Sequence, residues 1–363
     1  MGRPRLSRRA LLAAAALGAG GSAFAATPFP SLARIAARSG RVFGAAVEPE
    51  QLERDPAFAA LVQDQCASLT AENVMKWDAL RPGPETFAFD RADRLAAQAR
   101  AMGAQLYGHC LLWHEAWPAW LPKEMSAGAA RSLIEQHIQR VAGRYAGVVT
   151  AWDVVNEAVE RNDRRPDGLR VSPWLKALGP DYVPLAFEAA RSAAPRARLA
   201  FADYGLEYDD VSWMVEKRGT MLALLKRWKG EGVPIDALAI QGHLDASRPP
   251  SFGAGLRRFL AQVADLGLEI YVTELDVDDQ KVVGDPARRD AVVADCYARF
   301  LDAVMAEPAV RRVTTWGLSD RYSSKAQFSP RPDGAKVRPL PFDDGLRPKR
   351  AADALQRAFD HAR

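Results

Sequence analysis

Cysteine is scarce in this chain. Cys66, Cys110 and Cys296 are odd in number, far apart, and form no C-x-x-C pair. That pattern is not a disulfide scaffold or a thiolate zinc site. Buried free thiols are expected, with room for at most one bridge. Long apolar runs are missing as well, except for an alanine-rich stretch near the N-terminus that is too short and too rich in Ala and Gly to span a bilayer. No G-x-G-x-x-G or Walker loop follows the first candidate strand, which argues against nucleotide binding. Internal repeats, low-complexity linkers and appended modules are absent too. Nor is there a real excess of charge. The formal +4 resides in the first 25 residues, which hold Arg3, Arg5, Arg8 and Arg9 and no acid; beyond them 45 basic residues meet 45 acidic ones. Neither nucleic acid nor a membrane surface is therefore an expected partner.

The N-terminal segment carries its own message. Ser7-Arg8-Arg9-Ala10-Leu11-Leu12 opens the alanine-rich stretch, which ends at Ala23-Phe24-Ala25, a small-x-small cleavage pattern. The paired arginines resemble a twin-arginine export signal. Residues 1–25 are expected to be a leader and 26–363 one catalytic domain. The mature protein is expected to be soluble, monomeric, and periplasmic or secreted.

Apolar runs alternate with amphipathic stretches along the rest of the chain. Eight candidate strands are Val42–Val47, Leu69–Asn73, Gln105–Leu112, Val149–Asn156, Arg198–Tyr204, Ala237–Leu244, Glu269–Glu274 and Val313–Ser319. Helical periodicity marks Arg91–Met102, Ala129–Tyr145, Tyr182–Ser192, Trp213–Gly230, Gly255–Leu266, Pro286–Met305 and Arg347–Phe359. Strand–helix alternation implies parallel pairing through right-handed crossovers. Eight such units predict an α/β fold, a single TIM (β/α)8 barrel.

Polar residues collect at the ends of these strands. Glu72 and Asn73 close the second, with Lys76 beyond. His109 lies in the third, followed by Trp113 and His114, and Asn156 and Glu157 close the fourth. Asp203 and Tyr204 close the fifth, Gln241 and His243 the sixth, Glu274 the seventh, and Trp316 and Asp320 the eighth. Barrel enzymes keep their active sites at C-terminal strand ends. A metal cluster of His109, Cys110 and His114 is disfavoured, because neighbouring strand residues point to opposite faces.

Glu157 and Glu274 each close an apolar run, where an unpaired charge is costly unless it has a task. Facing one another across a cleft, two carboxyls supply what glycoside hydrolysis needs: one to protonate the leaving oxygen, one to attack the sugar or activate water. The amide, imidazole and carboxylate side chains around them suit ring hydroxyls, and indoles such as Trp113 and Trp316 suit the C–H faces. No metal or cofactor is required for this chemistry.

The segments Thr70-Ala-Glu-Asn-Val-Met-Lys-Trp77, Gly108-His-Cys-Leu-Leu-Trp-His114, Trp152-Asp-Val-Val-Asn-Glu157, Gln241-Gly-His243, Val272-Thr-Glu-Leu-Asp276 and Trp316-Gly-Leu-Ser-Asp320 occur in this order. Together they resemble glycoside hydrolase family 10, the endo-β-1,4-xylanase family. The resemblance implies a retaining double displacement on xylan, with Glu157 as general acid/base and Glu274 as nucleophile, roughly 5–5.5 Å apart. It implies that Asn156 binds the 2-hydroxyl at the cleavage site and that His243 hydrogen-bonds the nucleophile. It also implies that Glu72, Asn73 and Lys76 hold the non-reducing xylose units, and that His109, Gln241 and Trp113 line the sugar beside the scissile bond. Tyr204 and Trp316 complete the expected substrate contacts.

The chain departs from the family pattern at the roof of that subsite, where Ser324 replaces a second tryptophan, leaving Tyr322 or Phe328 as substitute rings if the loop folds over. Ala202 and Gly205 flank Asp203-Tyr204 where asparagines are usual. Weaker or altered binding there and on the leaving-group side is expected. Other retaining β-glycosidases share the two glutamates; the Glu72-Asn73-Lys76 set is what favours xylose. A sugar-binding protein on a silenced hydrolase fold remains the alternative outside catalysis.

Overall fold

The computed structural model describes residues 29–249 and 251–362. The leader expected at residues 1–25 lies outside the described residues. Eight parallel strands form the barrel: β1 Val42–Val47, β2 Ser68–Ala71, β3 Gln105–Gly108, β4 Val149–Asn156, β5 Arg198–Asp203, β6 Ala237–Ile240, β7 Glu269–Asp278 and β8 Val310–Thr315. Each pairs with the next, and β8 pairs back onto β1, closing the sheet. A short strand, His243–Asp245, rides on the far end of β7. This is the TIM barrel that the alternation implies.

The interior is filled rather than open. Alanines 151, 200, 202, 237 and 239 leave room for the rings of Tyr107 and Tyr271, which meet edge to face with their centres 6.2 Å apart. Arg312 lies over both rings and donates to Ser68 Oγ at 2.6 Å and Gln105 Oε1 at 2.8 Å. Above this plug, the Tyr107 hydroxyl donates to Asp153 at 2.6 Å, linking the packed floor to the polar face.

The expected helices form with ends shifted by a few residues, as in Asp90–Ala101, Ser212–Gly230 and Arg350–His361. Shorter ones escape the periodicity because they span too few turns. Pro49–Arg54, Pro56–Gln65 and Pro173–Leu178 instead each begin with proline, whose fixed φ and missing N–H suit the first turn.

The ends of β2, β5 and β8 shift by one to four residues from the sequence reading, and three further differences shape the site. β3 stops at Gly108, so His109 belongs to the loop above it. β6 stops at Ile240, and Gly242 at φ +81° turns the chain before His243. β7 runs on to Asp278, so Glu274 lies inside a strand. Register shifts add one unpaired residue in β4 between Asp153 and Val155, and another in β7 between Val272 and Leu275. Such bulges re-aim side chains. These two fall on the strands that lead to the glutamates; two further shifts, at Thr150 in β4 and Arg311 in β8, lie toward the opposite end of the barrel.

Candidate active site

Glu157 follows the last residue of β4 with φ +56°, a backbone conformation rare for a side-chain-bearing residue. Its N–H donates to the Ala202 carbonyl at 2.8 Å, and its own carbonyl accepts from Arg170 Nε at 2.7 Å, so both peptide groups are held. The carboxylate accepts from Trp113 Nε1 and Gln241 Nε2, both at 2.9 Å. Both donors are neutral. His114 Nδ1 stands 4.0 Å away, and burial together with the Arg170 charge lowers the pKa of that imidazole.

Glu274 has a different environment. Oε2 faces His243 Nε2 at 3.1 Å, while His243 Nδ1 faces Asp276 Oδ1 at 2.9 Å. Burial favours neutral imidazole, but carboxylates on both ring nitrogens prevail and raise His243 to about 10. Burial pushes Glu274 upward in turn; the His243 bond and the His109, His243 and Lys76 charges outweigh it and hold the carboxyl below its ordinary value. Oε1 is buried and, among the described residues, has no hydrogen-bond partner.

Gln241 ties the two glutamates together. Its side chain donates to Glu157, and its backbone carbonyl accepts from the Glu274 N–H at 2.7 Å. The same amide also reaches Asn156 Oδ1 at 3.4 Å. One residue therefore spans both carboxyl positions.

The remaining expected residues surround this pair. His109 Nδ1 lies 2.9 Å from Asp153 Oδ2 and 4.0 Å from Glu274 Oε1, and its ring meets Trp316 edge to face at 5.3 Å. Lys76 Nζ stands 5.2 Å from the Trp113 ring centre and 5.9 Å from that of Trp316, and donates to Asn73 Oδ1 at 2.8 Å. Asn73 donates to Glu48 Oε1 at 2.8 Å. Burial, reinforced by the Glu48 and Glu274 charges and opposed by Lys76, raises Glu72 to about 7. Tyr204 stands on the other side: its hydroxyl accepts from Arg170 Nη2 at 2.9 Å and lies 3.1 Å from Glu160 Oε2.

Asp153, Asp276, Glu48 and Arg170 were not singled out from sequence, although Asp153 and Asp276 lie inside the motifs. Each acts through a partner from another strand or loop. The roof loop does not supply a substitute ring. Tyr322 packs on Phe58 at 4.7 Å and bonds Asp55 at 3.0 Å, while Phe328 is exposed. The loop instead brings Lys325 Nζ within 3.4 Å of Asp276 Oδ1. Cys66, Cys110 and Cys296 are buried free thiols.

Residues 31–358 match the family model described as Glycosyl hydrolase family 10. The chain is 33% identical over 338 residues to endo-1,4-beta-xylanase B of Paenibacillus barcinonensis, covering 89% of this chain and 96% of that protein. Xylanase 10B from Thermotoga maritima superposes with a TM-score of 0.82 at 30% identity, over 91% of this chain and 98% of that one. Xylanase 10B from Thermotoga petrophila, solved with xylobiose, gives the same TM-score at 29% identity, over 92% and 98%.

Proposed function

The chain belongs to glycosyl hydrolase family 10, and from that premise we propose that this glycoside hydrolase is a retaining endo-1,4-β-xylanase. Glu274 attacks the anomeric carbon and forms a glycosyl-enzyme ester while Glu157 protonates the departing oxygen. Water, deprotonated by Glu157, then releases the sugar with its configuration kept.

The observation that carries the reading is the unequal surroundings of the two glutamates. Glu274 is held anionic by an imidazolium at one oxygen and leaves the other free to attack. Glu157 takes its hydrogen bonds from two neutral donors, Trp113 and Gln241, with no cation bonded to its carboxyl, as suits the acid/base role. Glu72, Asn73 and Lys76 on the β2 side hold the non-reducing xylose units, and Asn156 takes the 2-hydroxyl. His109, Gln241, Trp113 and Trp316 enclose the sugar undergoing cleavage, and Tyr204 receives the leaving side. Xylan or xylo-oligosaccharide is the partner, and the enzyme acts as a monomer. Export through the twin-arginine-type leader puts it in the periplasm or outside the cell.

Incubation with glucuronoxylan, mixed-linkage β-glucan and linear xylo-oligosaccharides, with products identified by mass and by the anomer first formed, tests the reading. Short xylo-oligosaccharides released as β-anomers are expected. Cleavage of glucan alone, or an initial α-product, overturns the substrate or the mechanism respectively. A periplasmic or extracellular protein beginning near residue 26 is the expected outcome for export.

A further inference from the structure

We propose that Trp213 is a sugar-stacking platform beyond Tyr204, taking a further β-1,4-linked pyranose on the leaving-group side of the cleft. This rests on the hydrolase reading above and extends it. Of the nine tryptophans, Trp213 is the one among the large exposed hydrophobic residues, with 36% of its surface accessible. It is the second residue of helix Ser212–Gly230, which follows β5, and the N-termini of such helices lie on the catalytic face of the barrel.

The placement of the indole is specific. Gly205, the residue after Tyr204, has φ +71°, and a Cβ there would fall 2.4 Å from Cζ3 and 2.5 Å from Cη2 of Trp213. The ring therefore rests on bare backbone next to Tyr204, and any side chain at 205 would displace it. Glu216, Lys217 and Thr220 share its helical stripe at spacings of three, four and seven. Each serves the same wall of the site. Glu216 pairs with Arg161, Thr220 packs on Gly168, and Lys217 stands 3.7 Å from the Tyr204 ring centre while bonding Asp203 at 2.6 Å. Because an ammonium covers one face of Tyr204, that ring offers a sugar only its other face. Trp213 keeps open surface.

Continuity with the site gives the occupant. A chain lying across Glu274 and Glu157 from the β2 side passes to β5, three strands round the barrel. There it meets Tyr204, coupled through Arg170 to the Glu157 carbonyl, and next Trp213. Flat apolar C–H faces of a pyranose match an indole braced from behind.

The test compares Trp213→Ala and Trp213→Phe with wild type on xylohexaose and on 4-nitrophenyl β-xylobioside, whose leaving group ends beside the scissile bond. Trp213→Ala should lower kcat/KM on xylohexaose by about 5-fold or more and move cleavage toward bonds with fewer sugars on the leaving side. The aryl substrate should change less than about 2-fold, and Trp213→Phe should recover most of the loss. Equal loss on both substrates, or none on xylohexaose, overturns the platform while leaving the xylanase reading intact. Wild-type enzyme inert on xylohexaose overturns that reading and the platform together.

Discussion

His243 Nε2 lies 3.1 Å from one oxygen of Glu274, while the other oxygen, Oε1, is buried without a hydrogen-bond partner among the described residues. The imidazole binds the charge and leaves free the oxygen proposed to attack the sugar. Asp276, 2.9 Å from Nδ1, keeps that imidazole protonated, and Lys325 balances Asp276 from the roof loop.

Replacing His243 by Ala removes the donor that offsets burial at Glu274. As the proposed nucleophile, Glu274 must be anionic in the free enzyme, so the acidic limb of kcat/KM should move up by about one pH unit, ~1.4 kcal/mol of lost preference for the charged form. An unmoved limb assigns it to another group. In stability the sign is opposite in pH. His243 is raised to about 10, so its contribution is complete below its unfolded value of 6.5 and fades as pH rises through 10. Urea melts should show a smaller alkaline loss in the variant over that window.

Glu274→Ala should fold as wild type and lose activity on every substrate by ~10⁴-fold or more. Glu157→Ala should still release dinitrophenolate from a 2,4-dinitrophenyl β-xylobioside in a rapid burst, because that leaving group needs no proton, and then stall. Stopped-flow absorbance separates the two. Equal loss of the burst in both variants would reject the assigned roles.

Lys217 and Asp203 form a buried ion pair at 2.6 Å. Burial raises Asp203 to about 6 even with Lys217 beside it. Lys217→Met should cost about 3–5 kcal/mol in urea unfolding, because it leaves a buried carboxyl unpaired. The cost should grow as pH rises above 6, where that carboxyl must ionise to match the unfolded chain. Asp203→Asn in the same chain should restore part of it.

Gly108 ends β3 directly below His109, and a Cβ there would lie 2.1 Å from the fully buried Trp152 ring. Gly108→Ala should destabilise by about 1–3 kcal/mol through overpacking. It should also lower kcat, since the backbone that must yield carries His109. Thermal melts and initial rates together check this; an unchanged kcat would place the strain elsewhere.

The order of strands and helices was readable in the sequence because hydrophobic period is local, and a barrel follows from eight repeats of one alternation. Polar residues at the ends of apolar runs were readable for the same reason: a carboxylate such as Glu157 or Glu274 breaks a pattern its neighbours set. Other features depended on which strands became neighbours. The extra residue in β4 exists only relative to β5, and the one in β7 only relative to β8. Asp153 looks like an ordinary strand residue until Tyr107 and His109 arrive from β3 and the loop above it. Trp213 reads as one more apolar helix position until the bare backbone of Gly205 is seen beneath it. Periodicity assigns a residue to a face, whereas hydrogen bonds and charge shifts require partners from distant segments, and tertiary packing alone brings those together.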